Sequence, residues 1–263
     1  MKQVFLLGAG FTRAVLGTRA PLTEDIMPQF DLSQFPEIGD LLEVSFPDIE
    51  QFITALDLRC LRLKKRNESL RERYDKIRRS VVEQIATLFD PDKLNIEDLN
   101  KHPPLKKFVT RVPGKSRILT LNYDCVLDQA LYLSKRWLPY RGYGFDWGPR
   151  NSNVNEEKDG ILLLKLHGSC NFRDTVGSQD YPNLEITDAI FPGICASLSN
   201  RSSISDSGPH VLVMSYVKRF HCGILNLWRQ AIDALVDAEK LTIIGCSLRE
   251  EDTFLRFALY HFG

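Results

Sequence analysis

Five short apolar runs punctuate this chain, at residues 4–7, 118–121, 161–166, 211–214 and 241–244. Each is too short for a helix and apolar at successive positions, as expected of strands covered on both faces of a sheet. Helical patterns stand between most of them. Phe11 to Leu16 supports one or two helical turns ending near Gly17, and residues 126–133, 224–236 and 250–259 read as further helices. Asp48 follows Pro47 and precedes Gln51 by three positions, which predicts a capped helix start running through Leu56. In residues 58–89, Leu63, Leu70, Tyr74, Ile77, Val81, Ile85 and Leu88 recur at steps of three, four and seven. That spacing predicts one long helix, stopped by Pro91.

The stretches between are irregular. Residues 90–114, with Pro103-Pro104, read as turns. The aromatic and glycine-rich segment 137–149 reads as a structured loop. Residues 172–210 are polar and contain a serine-rich part, 197–207, that reads as a lid-like loop. Buried strands alternating with helices predict an α/β, doubly wound, mainly parallel, Rossmann-like sheet. We expect one domain over residues 1–263, with a helical insertion at about 24–112 and the lid-like loop at about 172–210.

Composition narrows the classes of function. The 263 residues carry a formal net charge of +0, so bulk electrostatics supplies no pull toward nucleic acid or an acidic membrane. Residues 58–89 do crowd basic side chains, Arg71, Arg73 and Arg78 among them. Glu68, Glu72 and Asp75 partly offset these, and no aromatic residues are interleaved for base stacking. No apolar run approaches the roughly 18 residues that span a bilayer, and the first residues are too weakly apolar for a signal peptide. A cytoplasmic protein is expected. The six cysteines include no Cys-x-x-Cys pair, so a structural zinc is not expected and reduced thiols are. Cys125, Cys170 and Cys246 each fall just beyond a predicted strand, which places them on the same edge of the sheet and leaves a metal cluster there as the minor alternative.

Candidate chemistry collects where the strands end. Gly8-Ala9-Gly10, Asn122-Tyr123-Asp124, His167-Gly168-Ser169 and Gly245-Cys246-Ser247 follow four of the runs. In an open parallel sheet the carboxyl ends of all strands lie on one edge, and ligands bind in the crevice there. A glycine turn between a strand and a helix also points backbone N–H groups at an anion such as a pyrophosphate. Each turn has a plainer reading. Asn122 and Asp124 are good caps for the helix starting near Val126, His167 fits a core histidine, and the glycine turns fit ordinary strand–helix connections. A serine hydrolase elbow is excluded because Arg249 stands where its second glycine belongs. A dehydrogenase is poorly supported, since Arg13 occupies the place of the third fingerprint glycine.

These residues in this order resemble the sirtuin-like family, in particular its zinc-free bacterial branch. The resemblance reaches Gly8-Ala9-Gly10-Phe11-Thr12-Arg13 with Pro21-Leu22-Thr23, then Asp48-Ile49-Glu50 with Phe52. It continues through Thr120-Leu121-Asn122-Tyr123-Asp124, Leu166-His167-Gly168-Ser169 and Ser215-Tyr216-Val217-Lys218 with Trp228. It closes on Ile243-Ile244-Gly245-Cys246-Ser247-Leu248 and Asp252. The resemblance implies that Gly8, Ala9, Gly10, Phe11 and Thr12 hold the pyrophosphate of NAD, and that Gly245, Ser247 and Leu248 meet its adenosine half. It further implies that Asn122 orients the nicotinamide ribose and a water, and that His167 acts as a base on ribose hydroxyls. Asp124 stands to hold the carboxamide or to stabilise a developing cation.

The family's four paired zinc cysteines are missing, Ala20-Pro21-Leu22-Thr23-Glu24-Asp25 replaces the usual Gly-Ile-Pro-x-Phe-Arg, and Leu121 stands where glutamine is common. These departures imply no zinc module or other metal and favour simple NAD cleavage over deacylation. The expected activity is an NAD glycohydrolase releasing nicotinamide and ADP-ribose, as an anti-phage effector that depletes NAD. Control is expected from homo-oligomerisation or a separate partner such as an ATPase or nucleic-acid sensor, with residues 58–89 as the contact surface. The alternatives are a non-catalytic module binding NAD or ADP-ribose, then a zinc-free deacylase or ADP-ribosyltransferase.

Overall fold

The computed structural model describes residues 2–30, 35, 46, 48–63, 67–90, 92–145, 160–174, 184–186, 210–212, 215–217, 222–250 and 252–262. The serine-rich stretch 197–207 lies outside them. The first strand, β1 (Gln3–Leu7), leads into α1 (Ala9–Leu16), which Gly17 ends at φ +63. A four-residue turn of helix, α2 (Thr23–Ile26), and the helices α3 (Ile49–Leu63), α4 (Glu68–Leu88) and α5 (Pro103–Arg111) come next. Then follow β2 (Arg117–Thr120), α6 (Val126–Leu133), α7 (Pro139–Gly142) and β3 (Leu162–Lys165). After three further strands the chain closes with α8 (Cys222–Val236), β7 (Lys240–Ile244) and α9 (Thr253–Leu259).

Four strands form a parallel sheet in the order β3-β2-β1-β7. Leu6 sits opposite Leu119 on one side and Ile243 on the other. Val4, Leu6, Leu7, Ile118, Leu119, Leu163 and Leu164 are all buried, as their unbroken apolar pattern predicts. The architecture is Rossmann-like α/β. Three ladder bonds run one residue beyond the strands: Gly8 N–H to Ile244 O at 3.1 Å, Leu121 N–H to Leu7 O at 3.1 Å, and Leu166 N–H to Thr120 O at 2.9 Å. The turns after β1, β2, β3 and β7 therefore start level with one another on one edge.

Three expectations change. Val211 and Leu212, the described part of the run 211–214, do not join this sheet. His210–Leu212 is strand β6 of a separate antiparallel sheet, ordered β5-β4-β6, with β4 spanning Gly168–Asp174 and β5 spanning Leu184–Ile186. The cause lies at Gly168, whose φ of +83 reverses the chain straight after β3, and a Cβ there would sit 1.9 Å from Val211 O.

The single helix expected over residues 58–89 is two. Asn67 caps α4, its side chain accepting the Leu70 N–H at 3.0 Å, and the apolar spacing spans the break because α3 and α4 pack on each other and share one core. Pro103 and Pro104, read as turn residues, instead begin α5, where a missing N–H and a preset φ suit the first helical turn. Among the described residues, no helix is long and apolar enough to cross a membrane.

Candidate active site

A cavity of about 640 Å³ opens at the carboxyl edge of the parallel sheet. Strand order places it where a crevice must form: β2 and β3 continue from β1 in one direction, and β7 returns on its other side. Of the residues anticipated from sequence, Gly8, Ala9, Gly10, Asn122, Asp124, His167, Gly245, Ser247 and Leu248 all line it. Phe11 and Thr12 do not. Phe11 is buried with its ring 5.3 Å from that of Phe108, and Thr12 lies behind Asn122.

The two glycine turns are pressed together. Gly10 N–H donates to Gly245 O at 2.9 Å, and a Cβ on Gly8 would lie 2.6 Å from that same oxygen. Gly245 has φ +62, and a Cβ there would meet Phe11 N at 2.2 Å. The amides of Gly8, Gly10 and Phe11 are each engaged by backbone oxygens of the protein, while Ala9, the first residue of α1, lines the cavity. Leu248 adopts φ +50, a conformation that costs a branched side chain free energy and that clusters at binding sites.

Asn122 is held from behind. Its amide Nδ2 donates to Thr12 Oγ1 at 3.0 Å and its backbone N–H donates to Thr120 Oγ1 at 3.1 Å. Its Oδ1 is buried and has no hydrogen-bond partner among the described residues. A buried acceptor left open costs free energy unless a ligand or water completes it, and such atoms call for an explanation. Of the two capping alternatives, only Asp124 follows the plainer one: its Oδ1 accepts the Val126 N–H at 3.0 Å. Burial pushes the Asp124 carboxyl up, against an opposing pull from Lys165.

His167 is buried beneath the cavity wall, between Tyr123 and Trp228, with ring centroids 6.4 and 6.2 Å away. Trp228 Nε1–H donates to Leu166 O at 2.9 Å, fixing the turn that carries the histidine. Asp252 lies 3.2 Å from His167 Nε2. Burial pushes the Tyr123 phenol well up, with Glu50 and Asp252 adding to it.

Sequence reasoning missed two sets of residues. Lys165 closes an apolar strand yet is fully buried; its Nζ donates to Asp124 O at 2.6 Å and to both carboxylate oxygens of Asp128, at 3.1 and 3.2 Å. Burial would pull this ammonium down, but Asp128, Cys125, Cys170 and Asp124 together outweigh it and its pKa is raised. Nothing in a four-residue apolar run hints at such a pair beyond the lysine itself. The second set ties the mouth together: Arg249 reaches Asp48 at 2.8 Å and Glu50 at 3.5 Å, and Tyr216 Oη lies 3.4 Å from Asp48 Oδ2.

Cys125 and Cys170 meet at 3.5 Å between sulfurs, whereas Cys246 lies across the cavity rim against Gly8. Among the described residues, no group of three or more His, Cys, Asp or Glu side chains is placed to hold a metal ion.

Comparison with family models adds a decisive observation: one described as a SIR2-like domain matches residues 116–258. The chain belongs to the SIR2-like family. The match begins at β2, so α3, α4 and the Gly8-Ala9-Gly10 turn lie outside it; the fold itself brings that turn against Gly245 of the SIR2-like stretch. SIR2-like domains use NAD as substrate, and the match supports NAD-dependent activity in general. Among curated proteins, none matches the chain.

Proposed function

We propose that this SIR2-like protein hydrolyses the nicotinamide–ribose bond of NAD to nicotinamide and ADP-ribose. The observation that carries the proposal is the open Oδ1 of Asn122, a buried acceptor in the same cavity as His167. With Nδ2 anchored on Thr12, that oxygen is fixed in place with an acceptor position still to fill, which a water or a ribose hydroxyl completes when the cavity takes its ligand. The C1′–N bond breaks with its electron pair leaving on the already cationic pyridinium, so nicotinamide departs neutral. The ribose becomes oxocarbenium-like, water adds at C1′, and its surplus proton passes to a base. His167 fills that role, having the one side chain whose ordinary pKa lies near neutral pH. Asp124 lends hydrogen-bond or charge support to the ring that leaves. Ala9 at the start of α1 receives the pyrophosphate, with Gly8 and Gly10 lining its place while their amides hold the turn against β7. Gly245, Ser247 and Leu248 receive the adenosine half.

Purified protein is expected to release nicotinamide from NAD, and Asn122→Ala and His167→Ala to lower the rate by about 100-fold or more, the range usual for a positioned base. Full activity in both variants would discard the site. Binding of NAD without any nicotinamide, even in assembled oligomers, would favour a non-catalytic module, and acyl-peptide-dependent consumption would favour a deacylase.

An enzyme that drains NAD fits the role of a defence effector kept silent by self-assembly or by a regulatory partner. The exposed arginines of α4 are the surface to test. Arg73 suits that test. Arg78 does not, because its Nε is bonded to the buried Asp57 at 2.7 Å.

A further inference from the structure

His167 is assigned above as the base, but an imidazole has two nitrogens and only one can carry the lone pair. The structure decides between them. Asp252 Oδ2 lies 3.2 Å from Nε2, and the two side chains are 14% and 6% exposed, so little water screens the contact. A lone pair on Nε2 would face a carboxylate oxygen at that distance and be repelled, so Nε2 carries the proton. The carboxylate is itself held. Its other oxygen, Oδ1, accepts the Leu255 N–H at 3.4 Å as the cap of α9. Behind the imidazole, Trp228 packs edge-on against Phe254 of the same helix at 4.7 Å, so the histidine and its carboxylate are braced by one local assembly.

We propose that Asp252 is a positioning residue for His167: it holds the proton on Nε2, leaves Nδ1 as the basic nitrogen, and steadies the imidazolium that forms when Nδ1 accepts a proton. The inference rests on the hydrolase reading only for its kinetic consequence. The proton moves from water or a ribose hydroxyl to Nδ1 and then to solvent, while Asp252 stays ionised throughout. Other charged or titratable groups around the cavity are Glu24 of α2, Asp48 and Glu50 at the start of α3, Tyr123 and Asp124 after β2, Tyr216, and Cys246 and Arg249 after β7, and Arg249 is engaged by Asp48 and Glu50. Asp252 is a carboxylate in direct contact with the imidazole.

The test uses Asp252→Asn and Asp252→Ser, both good helix caps that keep α9 while removing the charge. Both are expected to lower kcat for nicotinamide release by at least about tenfold, with KM for NAD within about threefold, since a misoriented base loses part of its usual contribution. The acidic limb of the pH–rate profile should move to lower pH, because the imidazolium loses its carboxylate. Nitrogen-15 NMR of the His167 ring should show the Nε2–H tautomer in the wild type and a lower titration midpoint in both variants.

Wild-type kcat, pH profile and ring spectrum in both variants would show Asp252 to be a helix cap alone and overturn the proposal. A wild type that releases no nicotinamide, yet shows the Nε2–H tautomer and the shifted midpoint in the variants, would remove the hydrolase reading and leave the positioning role standing.

Discussion

At the scale of single residues, the open oxygen of Asn122 depends on what holds the other end of its amide. Thr12→Val keeps the shape of that neighbour and deletes the acceptor for Nδ2. The freed amide can then rotate, and kcat is expected to fall by about tenfold, read by nicotinamide release. The buried amide left without its acceptor, and Asp124 left without its Thr12 partner, should cost about 1–3 kcal/mol in thermal melts. Gly245→Ala should act the other way round, on the fold first. Its φ of +62 and the 2.2 Å approach to Phe11 N leave no room for a methyl, so a loss of roughly 2–3 kcal/mol in a urea melt is expected.

Asp124 gives a signed pH effect. Its folded pKa lies above the ordinary 3.8, so the folded chain binds this proton more tightly than the unfolded one. The group therefore costs no stability below 3.8, and its cost develops as pH rises through the folded value. Asp124→Asn, which keeps an acceptor for Val126 N–H, should raise the melting temperature relative to wild type at pH 7 and lose that advantage near pH 3.

Among the elements, α3 and α4 show how a surface reading can mislead. A run of arginines looks like a docking face, yet Arg78 bridges the two helices by its bond to Asp57, which is fully buried. Arg78→Ala strands that carboxylate without its guanidinium and is expected to destabilise the protein by roughly 3 kcal/mol. Arg73→Glu, in contrast, should leave the melt within about 0.5 kcal/mol, since substitutions at exposed positions usually do.

Strands β1, β2 and β3 were legible because burial within the sheet writes an unbroken apolar run, whereas β7 carries the same run at the end of the strand order with none of its residues buried and Ile243 exposed. Strand β4 was not legible, because Gly168-Ser169-Cys170-Asn171 reads as a polar turn and its pairing depends on a partner more than forty residues away, Leu212. Helix α5 hid behind Pro103-Pro104, a pair that marks a turn or a helix start with equal right until tertiary context chooses. The site turns were legible for a different reason: parallel strands bring their ends together whatever the family. The contacts that tune them, from Asp252 to His167 and from Lys165 to Asp124, join residues dozens of positions apart with no periodic signature.

At the scale of the molecule, the buried Lys165–Asp128 pair links the parallel sheet to α6 and continues through Tyr143, which donates to Asp128, and Asn171, which donates to Tyr143. The network thus reaches β4 of the second sheet. Lys165→Met should cost about 3–5 kcal/mol by leaving Asp128 buried without its cation, and adding Asp128→Asn should recover much of that. The raised lysine pKa means that its stabilisation is complete below the ordinary 10.5 and is lost only as pH climbs through the higher folded value. The wild type should accordingly hold its melting advantage over the double variant through pH 10.

The central place of β1 has a consequence for how the protein is made. Gln3 pairs with Lys240 and Leu7 with Ile244, and Gly8 closes on Gly245. Strand β1 leaves the ribosome well before β7 and waits for it before its turn acquires a floor. At roughly 5–20 residues per second of synthesis, that wait is tens of seconds. Asn122 and His167 will already have left the exit tunnel by then, with no finished cavity to serve. A nascent or prematurely terminated chain therefore lacks the assembled cavity, and on the proposed reading has no means yet to act on NAD.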